Sequence, residues 1–464
     1  MTVADATPDF EQAGRHDSAF LGHPKGLGYL GFTEGCERFS YYSMQTLLVL
    51  YMVNYLLVPG RIEKVIGLAW LQEHVYRGLQ GQPLASAIFG TYTSLVYFTP
   101  IFGGILADNV LGRNRTLILG GILMAIGHFL MAIESAFVFA LLALLLGVGA
   151  FKGNIASQVG ALYGPNDLRR AMAFQIFYIF INVSVIIAPL ISGTLGQKVG
   201  WHYGFGCAGI VMVLGLIIYL SGRRWLAPEP LRTTEGRQAR EKLSRDDWMC
   251  VIYLVVLIPV LAIAMLTNQQ IFNAYLTWGD QQFDLTLLNN TSSWLITVDA
   301  AVSFTMLVLV AAFWKWWGTF RTEPDEITKM IIGSVFTIAG ALCLFMAAAT
   351  QPHGGKISLF WPMMFELMNS IGFAHILPVS LALFSKIAPR QINATVIGLY
   401  YLAFFMANAI VGYVGGLYSS LPTTTFWLIH AGSAAFGVIA FTVFKLVVGK
   451  RMDSGAKEQA AALS

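Results

Sequence analysis

The sequence predicts an all-α integral membrane protein: twelve transmembrane helices in two six-helix bundles. Three observations carry that reading. Of the 464 residues, 56% are apolar and only 12% charged, about half the charge of an average soluble domain. Twelve apolar segments reach the roughly 17–25 residues that a helix needs to cross a bilayer. The basic residues between those segments crowd one side of the membrane.

In the first half the segments cover 27–57, 84–108, 115–133, 136–162, 170–195 and 202–221. In the second half they cover 248–276, 291–317, 327–349, 357–385, 392–418 and 424–447. Residues 1–24 are polar and read as a cytoplasmic N-terminal tail; the span that follows is too long for a cleavable signal. Residues 25–222 form the expected N-terminal bundle and 247–450 the C-terminal bundle. Between them, 223–246 contains Arg223, Arg224, Pro228, Pro230, Arg232, Arg237, Arg240, Lys242 and Arg245, and reads as a cytoplasmic basic linker. Residues 451–464 read as a cytoplasmic tail without structure. The outer loop 58–83 holds Ile66, Leu68, Trp70 and Leu71 among charges, the pattern of a short interfacial helix.

Charge placement checks the count. With both termini inside, only Arg61, Lys64, Arg77, Lys198 and Lys356 fall outside, and Arg38 and Lys152 fall within spans. Every other one of the 29 basic residues is on the inner side. A miscounted span would mix the two sets beyond the error. Six spans, a linker and six spans resembles the major facilitator fold, in which two halves rock around a central site. A bacterial plasma (inner) membrane is the expected location.

Several classes are not expected. Cys36, Cys207, Cys250 and Cys343 are scattered through apolar segments without metal spacing and read as small buried thiols. No metal site is expected. No nucleophile–base set or nucleotide loop marks an enzyme, and the glycine-rich stretches read as helix-packing positions. No nucleic-acid partner is expected.

The chemistry concentrates in the first span. Glu34, Glu37 and Arg38 fall at i, i+3 and i+4, so they share one helix face. Charges inside a spanning helix are costly and mark function by default. Lys152, in Phe151-Lys152-Gly153-Asn154 of the fourth span, is too deep to snorkel and needs a carboxylate or water. Glu34 and Glu37 are its expected partners. Two acids with Arg38 and Lys152 make a neutral set, and one added proton leaves it net positive. That asymmetry suits proton coupling, because protonation releases a cation for an anionic substrate group. A static salt bridge that locks two helices is the bland alternative. Tyr41, Tyr42 and Tyr97 add hydroxyls and Asn182 an amide. Asp108 with Arg113 and Arg115 lies at the inner end of the second span and reads as a gate charge set.

At these residues the sequence resembles the proton-dependent oligopeptide transporter family of the major facilitator superfamily, as a divergent member. Glu34-x-x-Glu37-Arg38-Phe39-x-Tyr41-Tyr42 is similar to that family's first-helix signature. Gly104-x-x-Ala107-Asp108-x-x-x-Gly112-x-x-x-Thr116, Phe151-Lys152-x-Asn154 and Phe177-Tyr178-x-x-Ile181-Asn182 are similar to its later ones. The resemblance implies a symporter that takes up di- and tripeptides with protons by alternating access. It implies proton coupling by Glu34, Glu37, Arg38 and Lys152. It also implies substrate contacts from Arg38, Tyr41, Tyr42, Tyr97, Lys152, Asn154 and Asn182. Gly90 matches the position of a histidine used by some animal members. Expected partners are a small peptide, protons and membrane lipid. The chain is expected to be a monomer without a cofactor, protons being the coupling ion.

The second half departs from the family pattern. Where the family has an acid in the seventh helix, this chain has Thr267-Asn268-Gln269-Gln270, so Asn268 is a substrate-contact candidate. Asp299 is the acid well inside the eighth span and is expected to take a proton-coupling role. In the tenth span one alignment puts Gly372-Phe373 where the family has Gly-Glu, and another matches Glu366, two turns earlier. Glu366 is the candidate for the substrate ammonium; His375, two residues after Phe373, is a further contact candidate, with a hydrogen-bonded core histidine as the alternative reading. The alternative function is transport of modified peptides, organic anions or drugs on the same fold, by antiport among other modes. A non-transporting peptide sensor is a third reading.

Overall fold

The computed structural model describes residues 17–164, 167–227, 244–389 and 392–461. Most of the expected N-terminal tail, the linker residues Pro228, Pro230, Arg232, Arg237, Arg240 and Lys242, and Arg390 lie outside the described residues. Twelve long helices follow one another. They are α1 Lys25–Tyr51, α2 Gly81–Leu106, α3 Arg113–Leu130, α4 Phe137–Ala161, α5 Arg169–Ala188, α6 Trp201–Gly222, α7 Arg245–Ala264, α8 Trp294–Trp317, α9 Glu326–Ala349, α10 Phe360–Ile387, α11 Asn393–Gly416 and α12 Thr423–Ala461. Ten of these regions are long and apolar enough to cross a membrane. The other two are α1, which carries three ionisable side chains in its middle, and α3, which starts on Arg113-Asn114-Arg115. The protein is an all-α membrane protein, as its composition predicts.

Two compact units form. Among the described residues the first takes in 17–79 and 98–227, the second 80–97 and 244–461. In the first unit, α1 packs against α5 and α6, and α3 against α4 and α6. Along α1 only Phe32 is exposed. A helix buried all round leaves its polar groups no water, so they need partners from neighbouring helices. Beyond α5, Pro189 removes a backbone donor and the chain continues in π-helical turns, Pro189–Gly193 and Leu195–Val199. The outer loop contains the short helix Leu68–His74, with Trp70 exposed.

In the second unit, α7 begins with a capping box between Ser244 and Asp247. Its core packs Leu254, Leu257 and Leu261 of α7 with Phe404 and Ala407 of α11 and Phe441 of α12. The seventh span is not the continuous helix expected over 248–276. After Met265 it continues as Leu266–Gln269, the 3₁₀ turn Gln270–Phe272 and the helix Ala274–Gln282, with Asn273 at φ −121°, ψ −102°. The amides of Asn268, Gln269 and Asn273 form side-chain bonds that compete with regular helix. At the other end, α12 runs on to Ala461, past the expected start of an unstructured tail.

The first half of α2 groups with the second unit, against the expected division at the linker. A Cβ on Gly90 would overlap Gly412 Cα and lie 2.7 Å from its nitrogen and 2.8 Å from Asn408 O. The backbones of α2 and α11 therefore touch there, and no side chain fits where some relatives place a histidine. Ser86 Oγ donates to Asn273 Oδ1 (2.9 Å) and Gln82 Nε2 to Gly415 O (3.0 Å), both N-terminal to Gly90 along α2. Replacing Gly90 by alanine overpacks this contact and costs about 1–3 kcal/mol. The check is thermal unfolding of the purified variant, whose midpoint falls below that of the wild type.

Candidate functional site

The central cluster belongs to the first unit. Glu34, Glu37 and Arg38 are 4%, 0% and 5% exposed. Arg38 Nε donates to Glu37 Oε2 and lies 3.1 Å from Glu34 Oε1. One guanidinium therefore binds both acids, as the i, i+4 and i, i+1 spacings allow. Its far face stands over the Tyr41 ring at 5.2 Å, and Tyr41 meets Tyr42 edge-on at 5.2 Å. Lys152 reaches in from α4 and interacts electrostatically with Glu34, Glu37 and Arg38. The sequence reading made Lys152 the partner of the acids; Arg38, from the same helix, pairs with both as well.

Glu34 Oε2, Glu37 Oε1 and Arg38 Nη2 are enclosed and make no hydrogen bond. Unsatisfied buried polar atoms of this kind are costly and belong at functional sites. With two carboxylates and two cations the cluster is neutral, so any proton it takes changes its net charge by the full unit.

The remaining first-unit candidates vary in placement. Asn154 is buried, and its Nδ2 donates to Ala150 O at 2.8 Å. Asn182 is half-buried, and its Nδ2 donates to Tyr178 O at 2.8 Å. Each retains its side-chain oxygen as an acceptor. Asp108 is exposed in the π turn Ala107–Leu111, and Arg113 and Arg115 occupy the first turn of α3. Tyr97 is grouped with the second unit and stacks on Phe404 of α11 at 4.9 Å.

Sequence reasoning missed a polar clasp beside the end of this unit where α4 and α6 finish. Gln158 donates to Asn114 and to Tyr219, both at 2.9 Å. Arg169 binds Asp167 at 2.9 Å and donates to the carbonyls of Asp17 and Gly22. Buried His23 bonds Tyr163 at 3.0 Å. Scattered single polar residues gave no periodic signal for these partners. Burial, followed by the Arg169 charge, holds His23 below the usual histidine range. The unfolded chain then takes up a proton that the folded chain resists. The resulting penalty is absent above about pH 6.5 and grows as pH falls. Between about pH 7.5 and pH 5.5 the unfolding midpoint of wild type should fall more steeply than that of His23→Gln. Equal slopes would show that His23 does not contribute.

In the second unit, Asn268 Oδ1 accepts from Gln269 Nε2 (3.1 Å). A small cavity is lined by Asn268, Thr337, Asn369 and Phe373. Glu366, Asn369 and Phe373 lie at i, i+3 and i+7 of α10, on one face. The departure from Gly-Glu at Phe373 therefore leaves an acid on the same face two turns away. Glu366 is fully buried and faces Asp299 of α8 and Tyr275. His375 is placed differently from the expected substrate contact. Its Nε2 accepts from Trp314 Nε1 at 3.0 Å and its Nδ1 bonds Ile371 O at 2.8 Å, so both ring nitrogens are used.

The sequence profile described as Major Facilitator Superfamily matches residues 47–410. An uncharacterized transporter, YclF, of Bacillus subtilis is 31% identical, covering 88% of this chain and 91% of its own. The peptide transporter YePEPT of Yersinia enterocolitica is 28% identical over 86% of this chain and 88% of its own. A di-/tripeptide transporter of Lactococcus lactis is 27% identical over 93% and 96%. Among solved structures, a mutant of the peptide transporter POT in complex with alafosfalin superposes with a TM-score of 0.79 at 25% identity. The match covers 96% of this chain and 98% of that one. Fold and cluster define a multi-pass membrane transporter. The chain belongs to the POT family of the Major Facilitator Superfamily.

Proposed function

We propose that the protein imports di- and tripeptides together with protons, by alternating access. The neutral Glu34–Glu37–Arg38–Lys152 cluster carries this reading. Protonating Glu34 or Glu37 removes one of the two carboxylates held by Arg38 and leaves the cluster net positive. A peptide carboxylate then becomes the favoured anion for Arg38 and Lys152, with Tyr41, Tyr42, Asn154 and Asn182 supplying hydrogen bonds. Loss of the proton to the inside restores the internal ion pairs and expels the carboxylate. At this cluster proton and substrate do not compete for a group, and each favours the other's binding. Asn268 and Tyr97 offer polar contacts from the second unit, and Glu366 an anion for the peptide ammonium. The chain acts as a monomer in the lipid of the bacterial plasma membrane, with both termini cytoplasmic, and uses no cofactor besides protons.

The driving force is adequate. One charge crossing 100 mV supplies about 2.3 kcal/mol, and one pH unit adds about 1.4 kcal/mol. One proton then supports accumulation of a zwitterion on the order of several hundredfold. The test is uptake of labelled dialanine by proteoliposomes with and without an inward proton gradient. Failure with several dipeptides, together with gradient-driven movement of organic anions, would select the alternative class of substrate.

A further inference from the structure

In the second unit, α8 and α10 present two carboxyls to each other. Ser303 Oγ and Ser370 Oγ are 2.9 Å apart and fix the register of the two helices. One turn earlier on α8 is Asp299, and one turn earlier on α10 is Glu366. The register therefore sets these acids face to face, and each acts on the other. Asp299 Oδ1 and both Glu366 oxygens are enclosed, and none meets the geometry of a formed hydrogen bond. Beside them Asn369, 1% exposed, leaves both side-chain polar atoms unpaired and lines the cavity shared with Asn268. The pair thus adjoins a recess in which the Asn369 amide is unsatisfied.

The surroundings hold no compensating charge among the described residues. The helix Ala274–Gln282 contributes Tyr275, α8 contributes Ser303, α7's continuation Asn268, and α9 Thr337. The α9 cation Lys329 is engaged elsewhere, with Glu323 and over the Trp314 ring. His375, further along α10, is held by Trp314 and Ile371. Neither acid has an ion pair. Two bare carboxylates facing each other in a low-dielectric interior repel strongly, and one shared proton removes that repulsion.

We propose that Asp299 and Glu366 form a single site that holds one proton between two carboxyls, and that a substrate ammonium group takes that proton's place. Before exchange the pair carries one proton and a net charge of −1. The incoming ammonium displaces the proton to water, leaving two carboxylates and one cation, again −1. The buried charge does not change, so the exchange avoids the desolvation cost of a new net charge. A lone protonated carboxyl would also exchange at constant net charge, but it is neutral beforehand, whereas the pair presents a carboxylate to the incoming ammonium throughout. The exchange with an ammonium rests on the peptide reading above; the shared proton does not.

Infrared spectra of the purified full-length protein test both parts. The protonated-carboxyl C=O band should shift in Asp299→Asn and also in Glu366→Gln, and vanish in the double variant, because both residues hold one proton. A band removed by one substitution and untouched by the other would overturn the pair. In wild type the band should be lost on adding dialanine and persist on adding N-acetyl-dialanine, which has no ammonium. Persistence with bound dialanine would overturn the exchange. If calorimetry shows that dialanine does not bind, the peptide reading fails and the exchange falls with it. The substrate-free comparison of variants still decides the pair. Should the amide variants not purify, the swap of Asp299→Glu with Glu366→Asp retains two carboxyls and should retain the band; its loss would count against the pair.

Discussion

Replacing Glu37 by glutamine abolishes proton-driven accumulation while leaving substrate exchange in place. Glu37 is 0% exposed and bonded to Arg38. Glutamine keeps the shape and can still accept from the guanidinium, but it cannot gain or lose a proton. Net uptake requires the carrier to return unloaded with the cluster's charges rebalanced. Exchange of labelled for unlabelled dipeptide needs only the loaded form to turn. We therefore expect gradient-driven uptake in proteoliposomes to fall at least on the order of 10²-fold, the scale of a lost proton-transfer group. Counterflow should remain within a few-fold of wild type. Loss of both together would mean that Glu37 serves the fold rather than coupling.

Arg38→Gln has the largest expected effect on both stability and transport. It leaves Glu34 and Glu37 buried without the cation they share, with Lys152 as the remaining positive charge. Removing one partner from a buried ion pair costs about 3–5 kcal/mol. Thermal unfolding of the variant should fall markedly, and dipeptide binding should be lost. Arg38→Lys should recover part of the stability and little of the binding, because its terminal ammonium does not place a donor where Nε meets both carboxylates. Replacing Glu34, Glu37, Arg38 and Lys152 together by neutral residues of similar volume should restore stability without transport. If that quadruple variant were no more stable than Arg38→Gln, the unpaired carboxylates would not be the source of the loss.

The helices and the first-unit cluster were legible because both depend on local spacing. An interval of three and four residues puts Glu34, Glu37 and Arg38 together whatever the rest of the fold does, and apolar length marks a span without reference to neighbours. What required the structure depends on contacts between segments far apart in sequence. The stacking of Tyr97 on Phe404 and the backbone contact of Gly90 with Gly412 join residues more than 300 positions apart. The break after Met265 follows from amides whose partners lie on other helices, such as Asn273 with Ser86. Asp299 and Glu366 were each visible as buried acids. Their pairing was not, because the register of α8 on α10 is set by two serines that carry no signal of their own. His375 illustrates the converse. The sequence left it open as a ligand contact or a hydrogen-bonded core histidine, and only the structure shows its bonds to Trp314 and a backbone carbonyl.

The central claim is that peptide and proton move inward together through the Glu34–Glu37–Arg38–Lys152 cluster. Simultaneous recording of labelled dialanine and internal pH in proteoliposomes tests it most directly. The account predicts that dialanine added outside acidifies the lumen of wild-type vesicles. It also predicts that an inward proton gradient drives its accumulation, and that Glu37→Gln loses both. Dialanine accumulation without lumenal acidification, or acidification that survives in Glu37→Gln, would contradict it.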